Sequence, residues 1–309
     1  MVINKDNSTG IKVSVIISTY NRKDLLKKCI VSLFNQNYSE DKYEIIVIDS
    51  STDGTAETIR ELSKYAPSEF RYIYRENIGL SVARNLGIEE ARGEIIVYID
   101  DDAEADVEWL NYIVEAYNDS DVCCVGGRIL PKFDSMPSRW FSRKMWGWVG
   151  LLDLGDEKKI VNKGKIQEYP IGCNVSFRKS IFERIGIFRE DVGRSKDTFL
   201  SYEETELCDR ILLAGYKIIY EPRVMVQHFI PRDKTNLNYF IKRYYYQGVS
   251  EAKIGSSISK NLLHLARIFI NPITFLFKRD FNYLFLIFRS VGFINQSMWS
   301  VIQCQFRHM

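Results

Sequence analysis

The sequence predicts an α/β protein: a mostly parallel, Rossmann-like sheet flanked by helices, followed by a C-terminal helical extension. Three observations carry that expectation. Residues 12–18 are rich in β-branched residues and residues 43–48 and 95–99 are continuous apolar runs, so all three read as strands, the last two covered on both faces. Between them lie stretches with helical periodicity, which makes successive βαβ units with right-handed crossovers. Beyond residue 232 the chain turns rich in Leu, Ile, Phe and Tyr with basic interruptions, and this defines the extension, residues 233–309.

The elements follow in order. Residues 1–10 are polar and read as a flexible N-terminus. Strand 12–18 is rich in β-branched residues and ends in the turn Thr19-Tyr20-Asn21-Arg22. Helix 23–36 carries Leu25, Leu26, Cys29, Ile30, Leu33 and Phe34 on one face, with Asn21 as its expected N-cap. Strand 43–48 ends in Asp49-Ser50-Ser51-Thr52-Asp53-Gly54, and a helix to about residue 65 carries Ala56, Ile59 and Leu62. A short strand, 70–74, leads to a helix from about residue 81 that bears Arg84 and Asn85 and stops at Arg92-Gly93. Strand 95–99 then runs straight into Asp100, Asp101 and Asp102, and a helix with Trp109, Leu110, Ile113 and Tyr117 closes the first half, residues 11–120.

Composition sets the outer limits. A chain of 309 residues buries a substantial core. With 42 Lys+Arg against 40 Asp+Glu the formal charge is +2, so no nucleic-acid partner is expected. Hydrophobic content of 46% argues against disorder. The six cysteines show no C-x-x-C spacing and no signal-peptide pattern opens the chain; they read as reduced cytosolic thiols filling the core.

The chemistry concentrates after Ile99. Three adjacent carboxylates repel one another unless something positive sits among them, and they stand at the carboxyl edge of the sheet, where α/β folds bind ligands. Oxygen ligands aimed one way suit a hard divalent cation, Mg²⁺ or Mn²⁺, carrying a diphosphate. Neither a G-x-G-x-x-G nor a Walker A sequence occurs, so dinucleotide and P-loop readings lose their main support. Tyr20 offers a ring to stack on a base, Asp49 an acceptor for a base or ribose, and Arg84 a charge for phosphate near a helix start.

Four segments in register, VSVIISTYNR, EIIVIDSSTDGT, NIGLSVARNLGIEEARGEIIVYIDDDAEAD and YEETELCDRILLAGYKIIYEP, resemble the family 2 glycosyltransferases with the GT-A fold. The resemblance covers roughly residues 13–228 and implies one glycosyltransferase domain, 11–232, whose second half is residues 121–232. It implies an inverting enzyme that uses a nucleoside-diphosphate sugar, UDP-linked, and Mn²⁺ or Mg²⁺. Asp100 and Asp102 would be the D-x-D metal ligands, with His228 beside the metal. Ser18, Tyr20, Arg22, Asp49, Arg84 and Asp101 would surround the donor.

In the second half, the aromatic-rich stretch 132–165 reads either as a loop over an acceptor, through Trp148, or as buried core. Asn174, in GCNVSFR, resembles the floor of the family's acceptor site. Glu203 and Glu204 open a helix, and acids there match the helix dipole. The resemblance implies a general base at this place, usually an aspartate in second position; the extra methylene of Glu204 leaves open which of the two acts, with Glu204 favoured. The acceptor would be a saccharide or a lipid-linked glycan in polysaccharide or glycan biosynthesis. A helix around residues 239–248 brings Arg243 or Gln247 toward phosphate.

The tail, residues 262–306, has no run of about 18 uncharged apolar residues, so a membrane-spanning helix is not expected. It reads as amphipathic helices in peripheral contact with a membrane, or as a helical cap or a dimer surface. A cytoplasmic protein at the inner membrane face is the matching location. Two rival functions stand beside this one. A nucleotidyltransferase also pairs aspartates with a metal, but Ser18-Thr19-Tyr20-Asn21 lacks its basic Gly-rich loop. An inactive sugar-nucleotide-binding scaffold fits poorly with an intact acidic pair.

Overall fold

The computed structural model describes residues 10–194 and 199–306, so the expected flexible N-terminus lies almost wholly outside the described residues. Four strands run parallel in the order β3 (Glu69–Tyr74), β2 (Tyr43–Asp49), β1 (Val13–Thr19) and β4 (Ile95–Ile99). Past β4 the sheet becomes mixed. Strand β8 (Asn174–Arg178) is antiparallel to β4, β6 (Val122–Phe133) is antiparallel to β8, and β9 (Lys217–Ile230) is parallel to β6. The free edge of β9 pairs with β7 (Lys159–Ile160) near its start and with β5 (Ala103–Ala105) near its end.

Helices cover both faces, which is why the strands are mostly apolar; the buried polar exceptions Ser14 and Glu44 pair with each other, Ser14 Oγ donating to Glu44 at 2.6 Å. Val13, Val15, Ile17, Ile45, Val47, Val97 and Ile99 point to one side, against α1 (Lys23–Phe34) and α4 (Trp109–Ala116). Ile16, Ile46, Ile48, Ile96 and Tyr98 point to the other, against α3 (Leu80–Glu90), α5 (Ser180–Ile185) and α6 (Glu203–Leu213). Each fully buried Val or Ile contributes about 1.5–3 kcal/mol from removal of apolar surface from water. Helix α2 (Thr55–Ser63) buries Ile59 at the rim of the first of these layers.

Asn21 does not cap α1. It adopts a left-handed φ of 52°, its side-chain oxygen accepts from the Thr52 N–H at 2.8 Å, and its own N–H donates to Ser51 Oγ at 2.7 Å. Arg22 takes the cap position without a side-chain cap bond. The loops after β1 and β2 are thereby clasped together at the carboxyl edge of the sheet; a partner from across the fold has outcompeted the local cap.

In the stretch 132–165, Trp140, Phe141, Trp146 and Trp148 all pack, partly buried, against the core. Trp140 and Phe141 pack in the core, with Trp140 centred 5.3 Å from the Phe240 ring. Trp148 also stacks on Tyr244, centroids 3.7 Å apart, and lines a cleft. The tail is helical: α7 (Leu237–Ile254), α8 (Ile258–Lys278) and α9 (Asn282–Phe306). Helices α7 and α9 cross in close contact at Gly248 and Gly292; a Cβ on Gly248 would lie 1.9 Å from the Arg289 carbonyl. Among the described residues no helix is long and apolar enough to cross a membrane.

Candidate active site

Two strand registers assemble the acidic centre. In the antiparallel pair of β4 and β8, Ile99 faces Asn174, so Asp100 and Cys173 are the next residues out on each side. In the pair of β5 and β9, Ala103 faces His228, and the Phe229 N–H donates to the Asp102 carbonyl at 2.8 Å. Cys173 and His228, 73 and 128 positions from Asp100 in sequence, are thus delivered to the end of β4 by backbone pairing.

Asp102 is almost fully buried. Its Oδ2 accepts from Arg22 at 2.9 Å and from Lys234 at 3.1 Å, while Oδ1 faces His228 Nε2 at 3.0 Å. Burial opposes its charge, but His228, Lys234 and Arg22 outweigh that and hold the carboxyl well below the usual range. Neighbouring Asp101 is pushed the other way, by burial and by the charge of Asp102 against the pull of Arg22. Asp101 also accepts from Thr19 Oγ1 at 2.7 Å. Arg22 is therefore committed to the two acids.

The fit of a cation can be judged from His228. Its Nδ1 lies 3.2 Å from the Gly150 carbonyl, and a carbonyl can only accept, so Nδ1 carries the proton. Nε2 faces Asp102 Oδ1 at 3.0 Å, and neither atom has any other partner among the described residues. A proton bridges such a pair, or a cation takes the proton's place, and a histidine oriented through its other nitrogen is the usual form of a metal ligand. Asp100, Cys173 and His228 each offer a ligand atom, all within 4.8 Å of one another. The donor set fits a divalent cation.

Arg84 joins this centre to the second acidic cluster. Its guanidinium is almost completely buried. Nη1 donates to Glu204 Oε1 at 2.8 Å and to Glu203 Oε1 at 3.2 Å, and Nη2 lies 3.9 Å from Asp100 Oδ1. Burial works against the Glu204 charge, but Arg84 and a backbone N–H outweigh it and set the carboxyl below its ordinary value. Glu203, buried and next to the Glu204 charge, is pushed above its ordinary value despite Arg84. Gly172 makes this packing possible: a Cβ there would stand 2.1 Å from both Arg84 Nη2 and Glu204 Oε1.

Glu204 lines a cleft of about 580 Å³; Glu203 does not. Trp148, Arg243 and Gln247 line the same cleft, so α7 contributes to the Glu204 side of the site. Arg243 places its guanidinium carbon 5.9 Å from the Trp148 ring.

The remaining predicted residues fall in two places. Ser18, Tyr20 and Asp49 lie at the carboxyl edge formed by β1 and β2. Asp49 is buried and accepts from Tyr72 Oη at 2.9 Å and from the Ser51 N–H at 2.7 Å. Ser18 Oγ is buried with no hydrogen-bond partner among the described residues, and Tyr20 is exposed. Asn174 is a structural pin: its amide N–H groups donate to the carbonyls of Arg128 and Val224 at 3.0 and 2.9 Å, and its oxygen accepts from Trp109 Nε1 at 2.9 Å. Both of its N–H groups are used inside the protein. Sequence reasoning missed Lys234, Cys173 and Tyr72; only Cys173 carried a signal, standing beside Asn174 in a segment already singled out.

Comparison with known proteins gives the class: the protein is a glycosyltransferase. The chain belongs to glycosyl transferase family 2, the family whose profile matches residues 14–186. It is similar to the glucosyl-dolichyl phosphate glucuronosyltransferase of Haloferax volcanii, at 25% identity over 78% of this chain and 76% of that one. It is also similar to glycosyltransferase AglE of Haloferax volcanii, at 36% identity over 70% of this chain and 66% of that one. Among solved structures it resembles the mannosyltransferase PcManGT of Pyrobaculum calidifontis, in complex with GDP-Man and Mn²⁺, with a TM-score of 0.66, 20% identity and coverage of 94% and 87%. That likeness establishes the GT-A architecture.

Proposed function

We propose that the protein is an inverting transferase that moves a sugar from a nucleoside-diphosphate sugar, UDP-linked, to a hydroxyl of a saccharide or lipid-linked glycan. One observation carries this reading: a single buried guanidinium, Arg84, spans a candidate cation ligand, Asp100, and an ionised carboxylate at a cleft, Glu204. Donor chemistry and acceptor chemistry are thereby set side by side.

Asp100 and His228, which stand together in the structure, would hold Mn²⁺ or Mg²⁺, with Asp102 joining them as a ligand from its place against His228 and Arg22 fixing that acid. A cation bound there neutralises charge growing on the departing diphosphate. Tyr20 and Asp49 sit where a nucleobase would meet the sheet edge, and Arg84 faces the diphosphate side. Glu204, ionised at neutral pH, takes the proton of the acceptor hydroxyl as that oxygen attacks the sugar, with Trp148 as a flat apolar wall for the acceptor. A base of this kind supplies about 10²–10⁴-fold. One displacement from the face opposite the leaving group inverts the anomeric centre.

A lipid-linked acceptor draws support from the name of the dolichyl phosphate relative and from the surface of α8. This helix turns its polar His264 and Asn271 inward and leaves Leu262, Phe269, Ile273, Leu276 and Phe277 exposed. Residues 258–279 contain no Asp or Glu, and Lys260, Lys278 and Arg279 are exposed on them, so the face suits an anionic membrane surface.

The test is product release. Purified protein with Mn²⁺, UDP- and GDP-sugars and a polyprenyl-phosphate glycan should release free nucleotide and an elongated glycan; failure with every donor contradicts the reading. Flotation with anionic vesicles should carry the protein, and Phe269→Glu with Phe277→Glu should leave it in the pellet fraction. Equal flotation of both proteins removes the membrane assignment, and a dimer lost in that variant reassigns the face to a second copy.

A further inference from the structure

We propose that Cys173 is a sulfur donor of the cation centre, so that the site takes thiophilic divalent ions such as Cd²⁺, Zn²⁺ and Co²⁺ through a sulfur–nitrogen–oxygen set. The inference rests on the reading that a cation binds at Asp100, Asp102 and His228. The register of β4 with β8 sets Cys173 opposite Asp100, and the β5–β9 pairing sets His228 beside both. The sulfur, the ring nitrogen and the Asp100 carboxylate fall within 4.8 Å of one another. The cysteine does not stand alone as an argument. His228 is a second observation: its ring is buried, its Nδ1 is held by the Gly150 carbonyl, and its Nε2 has no partner other than Asp102 among the described residues.

The arrangement has a chemical consequence. Oxygen donors and water satisfy Mg²⁺ and Mn²⁺, which gain little from a thiol, whereas Zn²⁺ and Cd²⁺ gain much from sulfur. Asp100, with a side chain 37% exposed, leaves a path from solvent to the otherwise buried pair. Cys173 thus biases which metal the centre holds while leaving the hard-ion chemistry to the carboxylates. The other described cysteines, Cys29, Cys123, Cys124 and Cys208, are buried as well, and none of them belongs to this cluster.

Metal titration of the full chain tests this directly, with Co²⁺, Cd²⁺ and Mn²⁺ added separately, with and without UDP. Near-ultraviolet absorption reports sulfur-to-metal charge transfer, and calorimetry reports affinity. Wild type should develop the charge-transfer band with Co²⁺ and Cd²⁺. Cys173→Ser and Cys173→Ala should abolish it and weaken Cd²⁺ binding about 10–100-fold, with Mn²⁺ affinity unchanged. Cys208→Ala should retain the band. A band that persists without Cys173, or never forms in wild type while Mn²⁺ binds, overturns the sulfur assignment and leaves the functional reading standing. A Cys173-dependent band without Mn²⁺ binding upholds the sulfur ligand and removes the hard-ion centre. If no metal binds, both fall. Melting curves of the two variants identify any loss of fold, and the Ala variant decides the case if the Ser variant is unstable.

Discussion

His228 Nε2 and Asp102 Oδ1 face each other at 3.0 Å across the end of β4, buried and without other partners among the described residues. Replacing Asp102 by Asn keeps the shape and removes the charge that Arg22 and Lys234 also hold. Mn²⁺-dependent binding of UDP, followed by calorimetry, should weaken on the order of 10²-fold. Metal-independent binding of UDP to the β1–β2 edge should be retained. Unchanged metal dependence would contradict the placement of the cation.

Glu204 and Glu203 are separable by kinetics. Glu204→Gln should lower kcat by about 10²–10⁴-fold with little change in donor KM. Glu203→Gln should cost less, because that side chain does not reach the cleft. The reverse order would move the base to Glu203.

The pH profile follows from Arg84. A base must be deprotonated to act, and Arg84 helps hold the Glu204 carboxyl below its ordinary value. The acid limb of kcat/KM should therefore lie below the usual glutamate range in wild type. Arg84→Met removes that charge and should move the limb up by about 1–3 units. A limb that stays in place would show that another group governs it.

Gly172 is a sharper probe of the same pair. Gly172→Ala inserts a methyl at 2.1 Å from both Arg84 and Glu204, so the ion pair must part or the strand end must shift. Stability should fall by about 1–3 kcal/mol, and turnover should fall much further than that loss explains. Full activity in a stable Gly172→Ala protein would mean that the Arg84–Glu204 contact is dispensable.

His264 sets a second pH dependence, in the tail. Burial, with Arg267 beside it, lowers its imidazole to about 4, and the ring stacks on Phe293 at 4.1 Å. The unfolded chain titrates near 6.5, so between those values the unfolded state binds more protons. Stability is then intact above about pH 6.5 and falls as pH drops toward 4. Melting temperature from pH 8 to 5 should decline more in wild type than in His264→Asn. Parallel curves would contradict this.

The sheet was legible because burial on both faces leaves apolar runs, unbroken in β4 and interrupted in β1 and β2 only by residues such as Ser14 and Glu44. Motif order singled out Asp100, Asp102, His228 and the Glu203–Glu204 pair, and the fold brings Asp100, Glu203 and Glu204 to the Arg84 guanidinium. The bond from Arg84 to Glu204 was not, since a contact between residues 120 positions apart has no local signature. Lys234, in a polar turn, looks like any solvated lysine until Asp102 is seen beside it. Asn21 and Asn174 misled for one reason: an amide serves a cap, a ligand or a distant carbonyl equally well, and tertiary packing makes the choice.

The most direct measurement is anomalous scattering from crystals soaked with Mn²⁺ and UDP. A manganese peak within bonding distance of Asp100, Asp102 or His228, joined to the diphosphate, is the predicted result. UDP bound at the sheet edge with no manganese beside those side chains would contradict the account.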